Sequence, residues 1–268
     1  MFLADYHSHS LCSPDSRAPL ADMVAAAAAL GLDEFCITDH CDRLDGQGAR
    51  ADGFDWALNL AQYAAVCGDH QGLPRLKFGI ELGNAAACPE DAREILRQPA
   101  LDFVLGSVHN GTAALGSADF YYLDYDKPAD CYTALDDYFT ALEDLVALPD
   151  CYDVLGHLIY PLRYMNARAP EPITLDRYRQ RMDALMLQII RDGHGMELNT
   201  WCGRTIADWK PIFMRYHELG GEIITMGSDA HAPENLAKGL PEASLLLQSC
   251  GFRYLTTYEN RQPGFVKL

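Results

Sequence analysis

Positive charge is scarce in this chain: 21 lysines and arginines stand against 38 aspartates and glutamates, a formal net charge of -17 at pH 7. A groove for long nucleic acid must neutralise phosphates with basic side chains, so such a partner is not expected. Bound divalent cations would cancel several of those charges locally, which leaves an anionic small substrate compatible with the balance. Long apolar runs are missing too. The longest, Met23 to Leu32, is mostly alanine and falls well short of the roughly 18 to 20 residues of a membrane span, so no membrane partner is expected. The N-terminus enters a strand pattern with no basic region ahead of an apolar core, and the expectation is a soluble cytoplasmic protein without a signal peptide. The nine cysteines form no C-x-x-C pair, which excludes a zinc knuckle, and a disulfide framework is not expected in a chain of this size. Most read as small buried hydrophobes, although Cys12, Cys41 and Cys202 lie near the motifs described next.

What the chain has in quantity is hydrophobic residues, 49% of 268, ample for a core. Strand-like runs recur at Phe2 to His7, Glu34 to Thr38, Leu76 to Leu82, Phe103 to Val108, Val154 to Leu158, Gly195 to Asn199, Ile223 to Gly227 and Tyr254 to Thr257. Between them the apolar period lengthens to three and four, as in Tyr132, Leu135, Phe139, Leu142 and Val146, the spacing of an amphipathic helix. Gly31, Gly193 and the pair Gly220 and Gly221 read as helix stops. Alternating strands and helices mean parallel strands joined by crossovers. Seven or eight such units without a charged linker predict an α/β fold, a closed or nearly closed βα barrel formed as one domain over residues 1–268. The longest connection, Asn110 to about Tyr132, reads as a cap over the active end.

Barrels of this kind place their chemistry at the C-terminal ends of the strands. There the sequence sets His7 and His9 in "DYHSH", with Asp15 close behind; Asp39 and His40 in "ITDH"; Glu81 in "FGIEL"; His109 in "LGSVH"; His157 in "VLGH"; Glu197 and Asn199 in "MELNT"; and Asp229 and His231 in "MGSDAH". Six of the nine histidines thus sit at strand ends, leaving His70, His194 and His217 as surface or helix-end residues. Any one of these groups alone reads as a buried, hydrogen-bonded side chain or a helix cap. Converging on one rim, they would be mutually costly unless cations bound among them. Imidazole and carboxylate donors suit divalent zinc, manganese or iron. Nine candidate ligands, His7, His9, Asp15, His40, Glu81, His109, His157, Asp229 and His231, exceed the need of one four-coordinate ion and suit two or three.

In order and over almost the whole chain, "DYHSH", "TDH", the Glu81 strand, "GSVH", "GH" and "SDAH" resemble the metal motifs of the PHP (polymerase and histidinol phosphatase) superfamily. "ELNT", the "SDAHAPE" segment and the tail "GFRYLTTYENRQPGFVKL" resemble its histidinol-phosphatase branch. The resemblance implies a distorted (β/α)7 barrel with three metals. One ion would be held by His7, His9, Glu81 and Asp229, a second by Glu81, His109 and His157, and a third by Asp15, His40 and His231. Where many members carry histidine at the position of Asp15, this chain has aspartate.

Two cations bridged by Glu81 would make hydroxide available near neutral pH for in-line attack on phosphorus, with Asp229 and His231 in the catalytic centre. A basic side chain would bind the phosphoryl oxygens; Arg163 in "YPLRY" is the first candidate and Arg204 in "NTWCGR" the second, with Asn110 a further substrate contact. Asp39 and Glu197 either orient ligand imidazoles or act as caps. The expected activity is hydrolysis of L-histidinol phosphate, a small phosphorylated substrate. Nucleotides or other small phosphates are the alternative within the superfamily, and an amidohydrolase-like reaction without phosphate is the alternative outside it. An acidic, aromatic-lined pocket would suit the cationic amine and imidazole of histidinol phosphate, and Phe120, Tyr121, Tyr122, Asp124 and Asp126 of the long loop are its candidates. Oligomeric state is not legible.

Overall fold

The β-branched and aromatic runs of the sequence do become strands, and the parallel ones are buried on both faces over most of their length, as parallel strands under helices must be. The computed structural model describes residues 2–51, 53–67, 72–98 and 100–268. The chain runs β1 (Ala4–Asp5), α1 (Leu20–Leu30), β2 (Glu34–His40), α2 (Trp56–Val66), β3 (Arg75–Gly83), α3 (Pro89–Ile95), β4 (Phe103–Ser107), α4 (Pro128–Val146), β5 (Val154–Leu155), α5 (Leu162–Arg168), α6 (Arg179–Asp192), β6 (Gly195–Asn199), α7 (Lys210–Glu218), β7 (Ile224–Gly227), α8 (Leu240–Ser249), β8 (Tyr254–Glu259) and β9 (Gln262–Lys267). Strands β1 to β7 lie side by side in chain order, all parallel. The helices close where glycine permits a left-handed turn, Gly31 at φ 72 after α1 and Gly193 at φ 79 after α6.

The barrel is distorted because β1 and β5 each pair over only two residues. Between β7 and β1 it closes by single contacts. Tyr6 N–H donates to the Met226 carbonyl (2.9 Å), Asp229 N–H to His7 (2.8 Å) and His9 N–H to Ala230 (2.8 Å). The Asp5 carboxylate secures this seam by accepting from Ser228 N (2.9 Å), Ser228 Oγ (2.5 Å) and Ala237 N (3.0 Å). These three donors and the His7 N–H (3.3 Å) offset part of the cost of full burial, which still pushes the carboxyl above its ordinary range.

Two expectations change. The run at Tyr254 to Thr257 is no eighth barrel strand; β8 pairs antiparallel with β9 through a two-residue turn, Asn260 and Arg261, both left-handed at φ 49 and 60. A strand's period of two is the same in either direction, so periodicity alone does not separate the cases. The hairpin fastens to the N-terminal ends of β4 and β5, where Asn260 N–H donates to Asp102 (3.0 Å) and Arg261 Nη2 to Asp153 (2.9 Å). The connection after Asn110 is not structureless either. It makes short 3₁₀ turns at Ala113–Leu115 and Phe120–Tyr122, and α4 already begins at Pro128. Among the described residues no helix is long and apolar enough to cross a membrane.

Candidate metal centre

The strand ends bring the expected side chains to one floor beneath a cleft of about 970 Å³. His7 Nε2 lies 3.4 Å from Glu81 Oε2 and 3.6 Å from Asp229 Oδ1; His9 Nε2 lies 3.6 and 3.5 Å from the same two oxygens. These four buried atoms are too far apart for strong hydrogen bonds, and His7 Nε2, His9 Nε2 and Glu81 Oε2 have no hydrogen-bond partner among the described residues. A tetrahedral zinc with ligands at about 2.0–2.1 Å has ligand-to-ligand edges of roughly 3.4 Å, so the nest fits such an ion. The other Glu81 oxygen, Oε1, faces His157 Nε2 at 2.8 Å and His109 Nε2 at 3.1 Å and accepts from Ser107 Oγ at 2.7 Å. Glu81 therefore spans two clusters, one oxygen in each.

Towards the rim, His231 Nε2 stands 3.0 Å and His40 Nε2 3.6 Å from Asp15 Oδ2. The donor atoms also group as His9, His40 and His231, and as His40, Asp42 and His109. Asp15 is thus an outer member, its side chain 55% exposed, and His40 Nδ1 also approaches Glu81 Oε2 at 2.9 Å without forming a hydrogen bond to it.

Electrostatics divide these groups, since burial lowers His9 and His157 while neighbouring carboxylates raise His7, His40, His109 and His231. Burial would raise the Glu81 carboxyl, but His7, His109 and His40 outweigh it and hold the group well below the carboxylate range. Asp229 is held down in the same way by His7 and Arg163 against its burial. Burial keeps His9 and His157 below the ordinary imidazole value, which leaves a lone pair free to ligate. Burial also acts to lower His7, but the carboxylates of Glu197, Glu81 and Asp229 outweigh it.

A further layer fixes the rings. Glu197 Oε1 meets His7 Nδ1 at 2.7 Å while its Oε2 accepts from the His157 N–H at 2.7 Å. Asp39 accepts from Ser10 N (2.6 Å), Ser10 Oγ (2.8 Å) and Ser13 Oγ (2.7 Å), and Ser13 Oγ meets His9 Nδ1 at 3.1 Å. Both carboxylates thus act on candidate ligand imidazoles, directly or through a serine. Sequence reasoning missed Asp42, whose Oδ1 meets His109 Nδ1 at 2.9 Å; its signal was a second acidic position in "TDHCD". Asp42 fits only because Gly83 has no side chain, since a Cβ there would lie 1.5 Å from Asp42 Oδ1.

Arg163 reaches this floor from the first turn of α5. Its Nη1 donates to Asp229 Oδ2 at 2.7 Å, and its guanidinium carbon lies 5.4 Å from the ring centres of both Tyr160 and Trp201. Its Nε is buried without a hydrogen-bond partner among the described residues. Trp201 and Cys202 hold left-handed backbone, φ 44 and 52, fixed by Trp201 N–H to Asn199 Oδ1 (2.8 Å) and Cys202 N–H to the Ser228 carbonyl (2.7 Å). Two expected substrate contacts lie elsewhere. Arg204 is exposed beside Trp201 (4.8 Å) and does not line the cleft, because the strained turn carries it outward. Asn110 borders the cleft, but both hydrogens of its amide go to the carbonyls of Asp45 (2.7 Å) and Ser117 (2.8 Å), so it fastens the loop. Tyr121 and Tyr122 line the cleft; Phe120 is buried, and Asp124 and Asp126 stand outside it in a turn. His194 packs on Tyr152 and His217 on Phe252, while His70 lies outside the described residues.

The PHP domain model matches residues 5–201, a span that runs from the last residue of β1 through β6. The chain belongs to the PHP domain family. It is 27% identical over 262 residues to the histidinol-phosphatase of Lactococcus lactis, covering 95% of this chain and 93% of that one. It is 25% identical over 272 residues to a Thermotoga maritima protein named "Probable histidinol-phosphatase", covering 99% and 100%. Its fold is similar to that of the Lactococcus lactis histidinol phosphate phosphatase solved in complex with zinc, L-histidinol and phosphate. The TM-score is 0.83 at 23% identity, over 98% of both chains.

Proposed function

We propose that this chain is a metal-dependent phosphomonoesterase that hydrolyses L-histidinol phosphate to L-histidinol and phosphate, with residues 1–268 working as one domain. The observation that carries this reading is the four-atom nest of His7, His9, Glu81 and Asp229 with the Arg163 guanidinium 2.7 Å from Asp229. In this reading two to three divalent ions, zinc, manganese or iron, are held by His7, His9, Glu81 and Asp229, by Glu81, His109 and His157, and at the rim by Asp15, His40 and His231. Bound there, the cations supply positive charge to phosphoryl oxygens and make water a competent nucleophile near neutral pH.

The chain's own groups do the rest. Glu81 keeps two clusters at a fixed separation through its two oxygens, and Asp229 ties one cluster to Arg163. Arg163, which lines the cleft beside Asp229, offers its guanidinium to a phosphoryl oxygen in a largely buried setting where charge-assisted hydrogen bonds are strong. His231, at the rim and partly exposed, stands on the solvent side of the same floor. The relatives named histidinol-phosphatase support the choice of substrate. The nine free cysteines suit a reducing compartment, in keeping with a cytoplasmic enzyme.

Phosphate release from L-histidinol phosphate, measured beside a panel of nucleotides and sugar phosphates with metal content determined on the same sample, tests the reading. Faster turnover of a nucleotide would move the substrate to that class. No release from any monoester by metal-loaded protein would end the phosphatase assignment.

A further inference from the structure

Six carboxylates line the cleft: Asp15, Asp42, Asp45, Glu81, Asp119 and Asp229. Five have evident work. Asp15, Glu81 and Asp229 face imidazoles or Arg163, Asp42 holds His109, and Asp45 accepts from Gln47 N and Ala49 N (2.9 Å each) to close its own turn. Asp119 is different. Its Oδ1 accepts from Tyr121 N (2.7 Å) and Tyr160 OH (3.3 Å), but Oδ2 accepts nothing from the described residues, and no lysine or arginine among them pairs with it. The His109 imidazole is the nearby charge that favours its ionised form, without a direct ion pair, and burial still pushes the carboxyl up; a half-buried carboxylate without a paired cation is costly, and such groups mark candidate ligand sites.

The surroundings fit one kind of ligand. Tyr160 stands between Asp119, which its hydroxyl touches, and Arg163, which lies 5.4 Å from its ring. Tyr164 packs on Tyr160 and Tyr121 packs on Tyr164, each with ring centres 5.2 Å apart, and all three line the cleft. An anion-binding guanidinium and an unpaired carboxylate are therefore separated by one tyrosine ring, among aromatic faces that favour an organic cation. Asp119 is also pinned. Its N–H donates to the Gly46 carbonyl (3.3 Å), and the next residue, Phe120, donates to the His109 carbonyl (2.9 Å), so the carboxylate is built onto a segment carrying a candidate ligand.

We propose that Asp119 is the ammonium subsite of this cleft and selects phosphomonoesters that carry an amino group near the phosphate. The proposal rests on the phosphomonoesterase reading above. Charge-assisted pairing of this kind predicts a preference of about 10- to 100-fold in kcat/KM for an amino substrate over its des-amino analogue.

The test uses the full-length, metal-loaded protein with L-histidinol phosphate and 3-(imidazol-4-yl)propyl phosphate, which differ only in the amine. Wild type is expected to prefer the first by that factor, and Asp119→Asn to bring the ratio close to one. A merely structural role would slow both esters and leave the ratio in place. Should Asp119→Asn not fold, competitive inhibition of wild type by L-histidinol against its des-amino alcohol reads the same preference. Phosphate release from both esters with a wild-type ratio near one, or an unchanged ratio in Asp119→Asn, overturns the subsite. Release from neither ester overturns the phosphomonoesterase reading instead.

Discussion

Replacing Glu197 with glutamine removes one charge and adds two hydrogens at a point where both carboxylate oxygens are in use. Oε2 accepts the His157 N–H at 2.7 Å, while Oε1 meets His7 Nδ1 at 2.7 Å and accepts from Asn199 Nδ2 at 3.1 Å. A glutamine that keeps its carbonyl on the His157 N–H turns its NH2 toward His7 and Asn199. His7 Nδ1 must then accept, the ring proton moves to Nε2, and the nitrogen facing Glu81 and Asp229 no longer has a lone pair to give. The flipped amide instead sets NH2 against the His157 N–H, a buried donor facing a donor, at about 1–3 kcal/mol. Either way, affinity for the ion in the His7 cluster should fall by about 10- to 100-fold, the usual effect of losing a partner behind a ligand imidazole. Competition against a chromophoric chelator reads this directly, with circular dichroism to confirm the fold. A variant that folds and holds its metal within about twofold of wild type would refute the orienting role of Glu197.

Two further outcomes follow from the same geometry. Trp201→Ala removes one of the two rings flanking Arg163 and should weaken inhibition by inorganic phosphate by roughly threefold to tenfold, in line with about 0.5–1.5 kcal/mol for such a contact. The effect should vanish in an Arg163→Ala background, whereas additive losses in the double variant would show that Trp201 acts elsewhere. At the opposite end of the barrel, Arg261→Ala leaves the buried Asp153 carboxylate without its cation and unfastens the β8–β9 hairpin. Unfolding by urea should show a loss of about 2–3 kcal/mol with metal content unchanged, and an unchanged midpoint would remove the hairpin from the stability of the barrel.

How far the sequence reached depended on the kind of information each feature needs. The convergence of the candidate ligands was legible because a barrel delivers strand ends to one face, so residues as distant as His7 and Asp229 are linked by position in the pattern alone. The tail misled because β8 alternates as a barrel strand does, and only the left-handed turn at Asn260 and Arg261, unmarked by glycine, makes it a hairpin. Arg204 stands as the second candidate after Arg163 in the sequence, since nothing in "NTWCGR" announces that Trp201 and Cys202 take left-handed backbone and swing the arginine outward. Asp119 was passed over for Asp124 and Asp126 for a related reason: pairing of the Asn110 and Asp119 segments decides which acid of the loop enters the cleft.

The central claim is that Glu81 joins two cation sites, one of them closed by His7, His9 and Asp229. Anomalous diffraction from crystals of metal-loaded protein, recorded across the absorption edge of the bound metal, tests it most directly. The account predicts one peak about 2 Å from His7 Nε2, His9 Nε2, Glu81 Oε2 and Asp229 Oδ1, and a second beside Glu81 Oε1, His109 and His157. Fully loaded protein whose ions lie elsewhere, with no peak within the four-atom nest, would contradict it.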